Sequence, residues 1–451
     1  MRAPLRRYAV PARTRRASCL VFAVSLLCLA AVAGPMLLAS TPPQGPPGFA
    51  ERWKVAVALW HEGLRARGIV GSSLLLMHQG RVVARETSGL ADLDAKRPVD
   101  ERTIYHWASI TKTVTGIAVM QLRDRGRLSL DDPVVKYLPE LRAVHDPFGD
   151  ISQITIRHAM SHSAGFRGPT WPWGGDRPWH PHEPSRWEQV VAMFPYTEVL
   201  FPPGSRYSYS NLAIIFLGRI IEQLSGDDYE VYADKNVFKP LGMHRTYFDR
   251  APYHLRRDLS TSYYRENGAL APARPDVDTG ITVSNGGMNA PFDDMARYLA
   301  FLAGEPGRTD YEGVLKRASL EEMWQPQVKM TGTEMADADS PTAYAMGLCF
   351  FRERVAGLDL VAHSGSQNGF ISHFFLHAPS RTAYLVAFNT TVTTTLKPGE
   401  IREDTRALDA ELRDHIVASV FPLFAGSGGS TRAGSLALAG RRDTGKRTSG
   451  R

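Results

Sequence analysis

Apolar positions recur along the chain with two different periods, and these periods predict where helices and strands lie. Near the start of the main body, Trp53, Val57, Trp60 and Leu64 are spaced three or four residues apart. A helix places such residues on one face. We therefore expect an amphipathic helix here, ending near Gly68.

Short apolar runs predict strands near both ends of the body. Residues 74–77 and 82–84 flank a turn at 79–80 and indicate a hairpin. Further strand-like runs lie near the C-terminus, at 358–363, 371–376 and 383–388. A closing helix is expected at 404–420. The residues between, to about 350, look mainly helical with long loops. This order predicts an α/β protein of the α+β type, with an antiparallel sheet from both chain ends and an inserted helical lobe.

A serine and a lysine stand three residues apart at the start of a helix-like run that ends near Gly126. At this spacing the side chains of Ser109 and Lys112 share one helical face. The amine can then take the hydroxyl proton and turn Ser109 into a nucleophile. No other Ser-x-x-Lys occurs in the sequence. The alternative is a surface helix start, with Ser109 as N-cap and Lys112 in water.

A second element, Tyr209-Ser210-Asn211, follows a turn-forming Pro-Pro-Gly and precedes the apolar run 212–224. It therefore lies at the entrance of a helix. The alternative is that Asn211 caps this helix while Tyr209 packs in the core.

A third element, His363-Ser364-Gly365, lies between an apolar run and a strand-like segment. His-x-Gly also occurs at 61–63 and 78–80. What distinguishes the tripeptide at 363–365 is its position after the other two elements.

The three elements in this order resemble the triple signature of the serine beta-lactamase and penicillin-binding protein superfamily. The similar branch contains class C beta-lactamases, D-aminopeptidases, D-alanyl-D-alanine carboxypeptidases and esterases. Residues 156–165 resemble the segment between the family's first two motifs, and Gly286-Gly287 its glycine pair. The resemblance covers roughly residues 45–422. It implies a beta-lactamase/transpeptidase-like fold with the catalytic serine in the cleft between sheet and helical lobe.

Motif by motif, the resemblance implies catalytic roles for three residues. Ser109 is the acylated nucleophile, Lys112 the amine that activates it, and Tyr209 a second proton shuttle. Asn211 is expected to contact a substrate amide.

The third motif is expected to bind substrate. The oxyanion hole would be formed by the backbone N–H groups of Ser109 and Ser366. Gly365 would leave room for the acyl group. His363 stands where many beta-lactamases and transpeptidases have a lysine that meets a substrate carboxylate. A histidine is largely neutral near pH 7 but can still donate one hydrogen bond, so we expect weaker carboxylate recognition.

The sequence therefore predicts an exported serine hydrolase that forms a covalent acyl-enzyme on amide or ester bonds. A D-amino-acid peptide, amide or ester is the expected substrate, and a beta-lactamase or penicillin-binding carboxypeptidase is the alternative. A non-catalytic relative that binds peptidoglycan or a partner would not need Ser109, Lys112 and Tyr209. An anchored structural protein would require Ser109 to be inert.

The N-terminus predicts export. Residues 1–16 contain six arginines and no acid, and mostly apolar residues follow to about 39. We assign residues 1–40 to an export signal or, if uncleaved, a membrane anchor. The catalytic part would then be periplasmic or extracellular.

Charge is unevenly distributed. The total is +7, but residues 1–16 carry +6 and residues 425–451 carry +5, so the part between carries −4. This argues against a nucleic-acid partner, which needs basic residues clustered on the folded surface. The Gly/Ser/Arg-rich segment 425–451 is expected to be a disordered tail.

We expect no cofactor and no metal. Cys349 is the one cysteine outside the export segment, so no disulfide is available to the body. The His180-Pro181-His182 pair lacks a third ligand at metal spacing. The Trp-rich loop at 166–187 would either overhang the cleft or pack on its own lobe.

Overall fold

The computed structural model describes residues 45–170, 184–273, 279–331, 342–397 and 400–425. The predicted export segment, much of the Trp-rich loop, the His180–His182 pair and the tail beyond Ala425 lie outside these residues. Within the described residues, no helix has both the length and the apolar character that crossing a membrane requires.

The described helices are α1 (Phe49–Arg67), α2 (Thr111–Asp124), α3 (Val134–Tyr137), α4 (Ile156–Met160), α5 (Trp187–Ala192), α6 (Asn211–Ser225), α7 (Tyr229–Ala233), α8 (Val283–Gly286), α9 (Phe292–Ala303), α10 (Arg317–Met323), α11 (Asp404–Ser419) and α12 (Phe421–Ala425). The described strands are β1 (Gly71–His78), β2 (Arg81–Asp92), β3 (Arg97–Pro98), β4 (Ile104–His106), β5 (Tyr247–Phe248), β6 (Tyr263–Glu266), β7 (Ala269–Pro272), β8 (Met288–Pro291), β9 (Val328–Lys329), β10 (Ala343–Met346), β11 (Phe351–Val355), β12 (Leu358–Gln367), β13 (Phe370–His377), β14 (Thr382–Phe388), β15 (Thr390–Lys397) and β16 (Glu400–Glu403).

Helix α1 confirms the first predicted helix. Trp53, Trp60 and Leu64 are buried along one face. The helix ends at Gly68, whose φ of 65° is left-handed and lets its N–H bond back to the carbonyls of the last turn.

The main sheet joins both ends of the chain. Among the described strands its order is β3-β2-β1-β14-β13-β12-β11-β10-β9, and every pair is antiparallel. Strand β1 pairs with β14 from Ser72 opposite Phe388 to His78 opposite Thr382. The antiparallel sheet predicted from the two chain ends is thus confirmed.

Both faces of this sheet are buried. On β1, Leu74 and Leu76 pack in a core with α1 and α11, whereas Leu75 and Met77 pack in a core with the helical lobe. Successive side chains of a strand point to opposite faces. A strand covered on both faces therefore reads as a continuous apolar run.

The structure contains strands that the sequence patterns do not predict. Besides the main sheet, the described residues form two small sheets, ordered β16-β15-β6-β7 and β4-β8-β5. Several of these strands have only two to four residues, too few for a period to be visible in the sequence. Strand β12 also continues beyond its apolar run, to Gln367.

A buried charged cluster joins α11 to the sheet. Nδ1 of His373 on β13 lies 2.8 Å from Oδ2 of Asp409, and its Nε2 lies 3.6 Å from Oε1 of Glu353. Burial alone would lower the pKa of His373, but the two carboxylates outweigh it and raise the pKa above its ordinary value of 6.5. Arg413 and Tyr384 also face this cluster.

We expect the charged form of His373 to stabilise the fold. Because its pKa is higher in the folded chain, this stabilisation is full below the unfolded pKa and is lost as pH rises through the folded pKa. His373→Gln should lower the thermal midpoint by a few degrees at about pH 6 and approach wild type near pH 9. Thermal melts across this range measure the difference, with His377→Gln, on the same strand, as control. A difference that does not vary with pH would contradict the assignment.

Candidate active site

The predicted nucleophile lies at a strained turn. Ser109 belongs to a 3-10 turn, Ala108–Ile110, that runs directly into α2. Ala108 has a φ of 46°, a left-handed conformation that costs a residue with a side chain about 1–2 kcal/mol. Ser109 is half-buried between buried neighbours and is not the N-cap. Backbone N–H groups in the first turn of a helix have no acceptor within that helix, which suits them to an external oxygen.

The amine of Lys112 is buried and held by two oxygens. Its Nζ lies 3.0 Å from Oγ of Ser109 and 2.7 Å from the backbone carbonyl oxygen of Asn285. The exposed fraction of Lys112 is 0%, so a lysine in water is excluded. Burial disfavours the charged amine. A neutral amine can donate to the Asn285 carbonyl while it accepts the Ser109 proton.

The second motif lies beside the first. Nζ of Lys112 is 4.9 Å from the centre of the Tyr209 ring. Ser210, and not Asn211, caps α6, because its Oγ accepts the N–H of Ala213 at 3.1 Å. Oδ1 of Asn211 is buried and accepts no hydrogen bond from the described residues. The Asn211 amide is therefore not used as a helix cap.

The third motif reaches the nucleophile turn through β12. Strand β11 pairs with β12 as far as Phe351 opposite Ala362. Strand β13 continues along the other edge, as far as Phe370 opposite Gln367. The edge that β11 leaves uncovered, at 363–367, lies against the turn that carries Ser109. This edge includes the half-buried Ser366.

Gly365 is needed for a backbone contact. A Cβ at this position would lie 2.2 Å from the carbonyl oxygen of Trp107 and 2.8 Å from Oγ of Ser372. The family resemblance implies that a side chain at this position would crowd the acyl group. In the structure, a Cβ would already clash with the Trp107 carbonyl, so β12 could not approach the nucleophile turn.

His363 is buried and uncharged. Its exposed fraction is 1%. Burial, and then the positive charge of Lys112, lower its pKa to about 3. Its Nδ1 lies 2.7 Å from the carbonyl oxygen of Ser364. A carbonyl only accepts, so we assign the proton to Nδ1 and a bare lone pair to Nε2. The ring therefore has no proton left for a substrate carboxylate, contrary to the donor we expected.

The surroundings of His363 are apolar. Its ring centre lies 5.2 Å from that of Phe351. Phe351 belongs to a small core cluster that includes Tyr207 and Met330 and against which Tyr209 packs. One apolar wall thus supports both the second and the third motif.

Two neighbours of the site carry no signal in the sequence that would place them there. Asn285 contributes only a backbone carbonyl, which any residue has. His162 stacks on Tyr209 with ring centres 4.4 Å apart. It lies in the segment 156–165, which the family resemblance marks without giving His162 a role.

Neither a metal-binding cluster nor a reactive thiol is found among the described residues. Among the described residues, no group of three or more His, Cys, Asp or Glu side chains could hold a metal ion. Cys349 is free and buried, and burial raises the pKa of its thiol to about 12. A thiol that stays protonated is a poor nucleophile.

Similar proteins agree on the class. Esterase EstB of Burkholderia gladioli is 30% identical over 277 residues, which cover 55% of this chain and 70% of the esterase. Protein flp of Staphylococcus aureus (strain COL) is 25% identical, and the match covers 71% of this chain but only 60% of that protein. The structure of the octameric penicillin-binding protein homologue from Pyrococcus abyssi is 28% identical, has a TM-score of 0.64, and covers 75% of this chain and 73% of its own.

Fold and relatives together define a serine hydrolase related to penicillin-binding proteins. The sequence profile of the Beta-lactamase family matches residues 56–409. The chain therefore belongs to the Beta-lactamase family.

We expect Gly365→Ala to impair the site without unfolding the chain. The new methyl group would push β12 away from the Trp107 carbonyl, and displacements of this kind can cost about 100-fold in rate. The rate of labelling by a fluorophosphonate, followed by intact mass spectrometry, measures the loss. Gly313→Ala is the control, because a Cβ there meets nothing within 4 Å. Equal labelling rates in both variants would show that the contact is dispensable.

Proposed function

We propose that Ser109 is the nucleophile of an acyl-enzyme mechanism in which Lys112 is the base and Tyr209 a second proton shuttle. The observation that carries this proposal is the 3.0 Å contact between Nζ of Lys112 and Oγ of Ser109, made by an amine with no exposure to water. A surface lysine would be protonated at neutral pH and could not accept the hydroxyl proton.

In the first half of the reaction, the neutral amine of Lys112 takes the proton of Ser109 while Oγ attacks the substrate carbonyl carbon. The negative oxygen is stabilised by the backbone N–H groups of Ser109 and Ser366. Collapse of this intermediate expels the alcohol or amine, which receives its proton through Tyr209. The acyl group is then bound to Oγ of Ser109.

In the second half, water attacks the acyl-enzyme. The same groups act in reverse, since the basic form of the Lys112–Tyr209 pair accepts the proton of the water. Release of the acid regenerates the Ser109 hydroxyl. The carboxamide of Asn211 binds the amide of the substrate where one is present.

The favoured substrate is an ester or amide that presents no carboxylate to the third motif, and within this class we propose a D-amino-acid peptide, amide or ester. Support comes from His363, which is neutral, buried and without a free proton. The similarity to an esterase supports ester cleavage. A beta-lactamase or carboxypeptidase must hold a substrate carboxylate, and for that role the uncharged His363 offers neither charge nor donor.

We also propose that the enzyme is exported and acts outside the cytoplasm. The six arginines of residues 1–16 and the apolar stretch that follows support this proposal. N-terminal sequencing of the mature protein from a membrane and a soluble fraction would distinguish cleavage from anchoring. An intact N-terminus in a cytoplasmic fraction would contradict export.

Removing a catalytic group should abolish or strongly slow acylation. Ser109→Ala should give no fluorophosphonate adduct, and Lys112→Met and Tyr209→Phe should lower the labelling rate by about 10²–10⁴-fold. Intact mass spectrometry of the full-length protein measures both, with ester turnover as a second readout. Lys136→Met is the matched control, because Lys136 is an exposed lysine paired with Asp132. An adduct on folded Ser109→Ala would refute the assignment of the nucleophile.

A matched pair of substrates tests the role of His363. Phenyl butyrate and 3-carboxyphenyl butyrate differ by a carboxylate on the leaving group, the side on which a beta-lactamase or carboxypeptidase substrate carries its own. We expect wild type to favour phenyl butyrate at least about 10-fold in kcat/KM, because the carboxylate would be left unpaired. His363→Lys should narrow this ratio even if total activity falls. A ratio that is the same in both enzymes would show that His363 does not govern charge preference.

A further inference from the structure

His162 lies against the second motif without being part of it. Its side chain has an exposed fraction of 0%, and its φ of 53° is left-handed. The ring stacks on Tyr209 with centres 4.4 Å apart. It also meets the ring of Tyr207 edge-on, with centres 6.0 Å apart. The imidazole therefore contacts two aromatic residues on the same side of one extended segment.

Hydrogen bonds from the same segment converge on His162. Its backbone carbonyl accepts the N–H of Ser208 at 2.8 Å. Its Nδ1 accepts the N–H of Ser210 at 3.1 Å. An N–H can only donate, so Nδ1 must carry a lone pair and the ring proton lies on Nε2. One residue thus binds the backbone on both sides of Tyr209 and the face of its ring.

This arrangement requires an uncharged ring. Burial holds the pKa of His162 well below 6.5. A charged imidazolium would have no lone pair for Ser210. The neutral state is therefore both what the surroundings favour and what the hydrogen bond needs.

We propose that His162 is a positioning residue that fixes Tyr209 beside Lys112 through ring stacking and the Nδ1 bond to Ser210. This inference rests on the proposed role of Tyr209 as a proton shuttle. The phenol must keep its distance from the amine within a fraction of an ångström, and the stack restricts the ring while the hydrogen bond restricts the backbone that bears it.

Two substitutions separate the two contacts. His162→Asn keeps an acceptor near the position of Nδ1, loses the ring, and tolerates a left-handed φ. His162→Phe keeps an aromatic face and loses the acceptor. Each should lower kcat on 4-nitrophenyl butyrate about 10- to 100-fold with KM within about 3-fold of wild type. His158→Asn is the control, because His158 also accepts a backbone N–H, that of Thr155, in a helix cap.

A double-mutant cycle distinguishes positioning from general structural support. If His162 acts through the Tyr209 hydroxyl, adding His162→Asn to Tyr209→Phe should lower the fluorophosphonate labelling rate by less than about 2-fold. If the two losses multiply instead, His162 supports the fold and the proposal is overturned. Folded single variants with wild-type kcat would also overturn it.

The same experiments distinguish failure of the proposed function from failure of the inference about His162. Wild-type labelling of Tyr209→Phe alone would refute the role of Tyr209, and an adduct on Ser109→Ala would refute the nucleophile, whatever His162 does. If neither His162 variant folds, ¹⁵N spectra of histidine-labelled wild type provide the test. A neutral ring protonated at Nε2 at pH 7 supports the proposal, and a charged His162 overturns it.

Discussion

A contact between two backbones determines how the nucleophile turn lies against the third motif. Strand β12 meets the carbonyl of Trp107 at Gly365, with no space for a Cβ between them. The contact joins the sheet, built from both chain ends, to the turn from which α2 starts. Ser109 lies in this turn, two residues after Trp107, and Ser366 directly follows Gly365. The two expected oxyanion donors thus come from different parts of the fold, and their spacing depends on this one approach.

Burial sets the charge state of the site. The Lys112 side chain is fully buried, and burial is the main reason that the two nearby imidazoles of His162 and His363 are both held neutral. Each ring has one nitrogen engaged by the backbone, in opposite senses: His162 accepts from Ser210, and His363 donates to the Ser364 carbonyl. The rings therefore add shape and hydrogen bonding around the amine without adding positive charge.

The sequence predicts those parts of the fold and the site that depend on local spacing. It does not predict contacts that form only in the folded chain. The Ser109–Lys112 pair follows from i, i+3 geometry, and α1, the first hairpin and the C-terminal strands follow from apolar periods and runs. The carbonyl of Asn285 is invisible because every residue has one. The tautomers of His162 and His363 are set by partners that only tertiary structure supplies. The reason for Gly365 was also out of reach, because a close approach of Trp107 has no signature in residue type.

Catalysis and specificity are coupled at position 363 on the proposed assignment. A permanent cation there would attract a substrate carboxylate, but it would stand near Lys112 and oppose protonation of that amine during acylation. The neutral histidine avoids this conflict and leaves an apolar wall of Phe351, Tyr207 and Met330. On this assignment, a substrate carboxylate placed beside His363 would lose hydration and gain no partner. On the proposed assignment, the buried and neutral His363 therefore favours substrates without a carboxylate at the third motif.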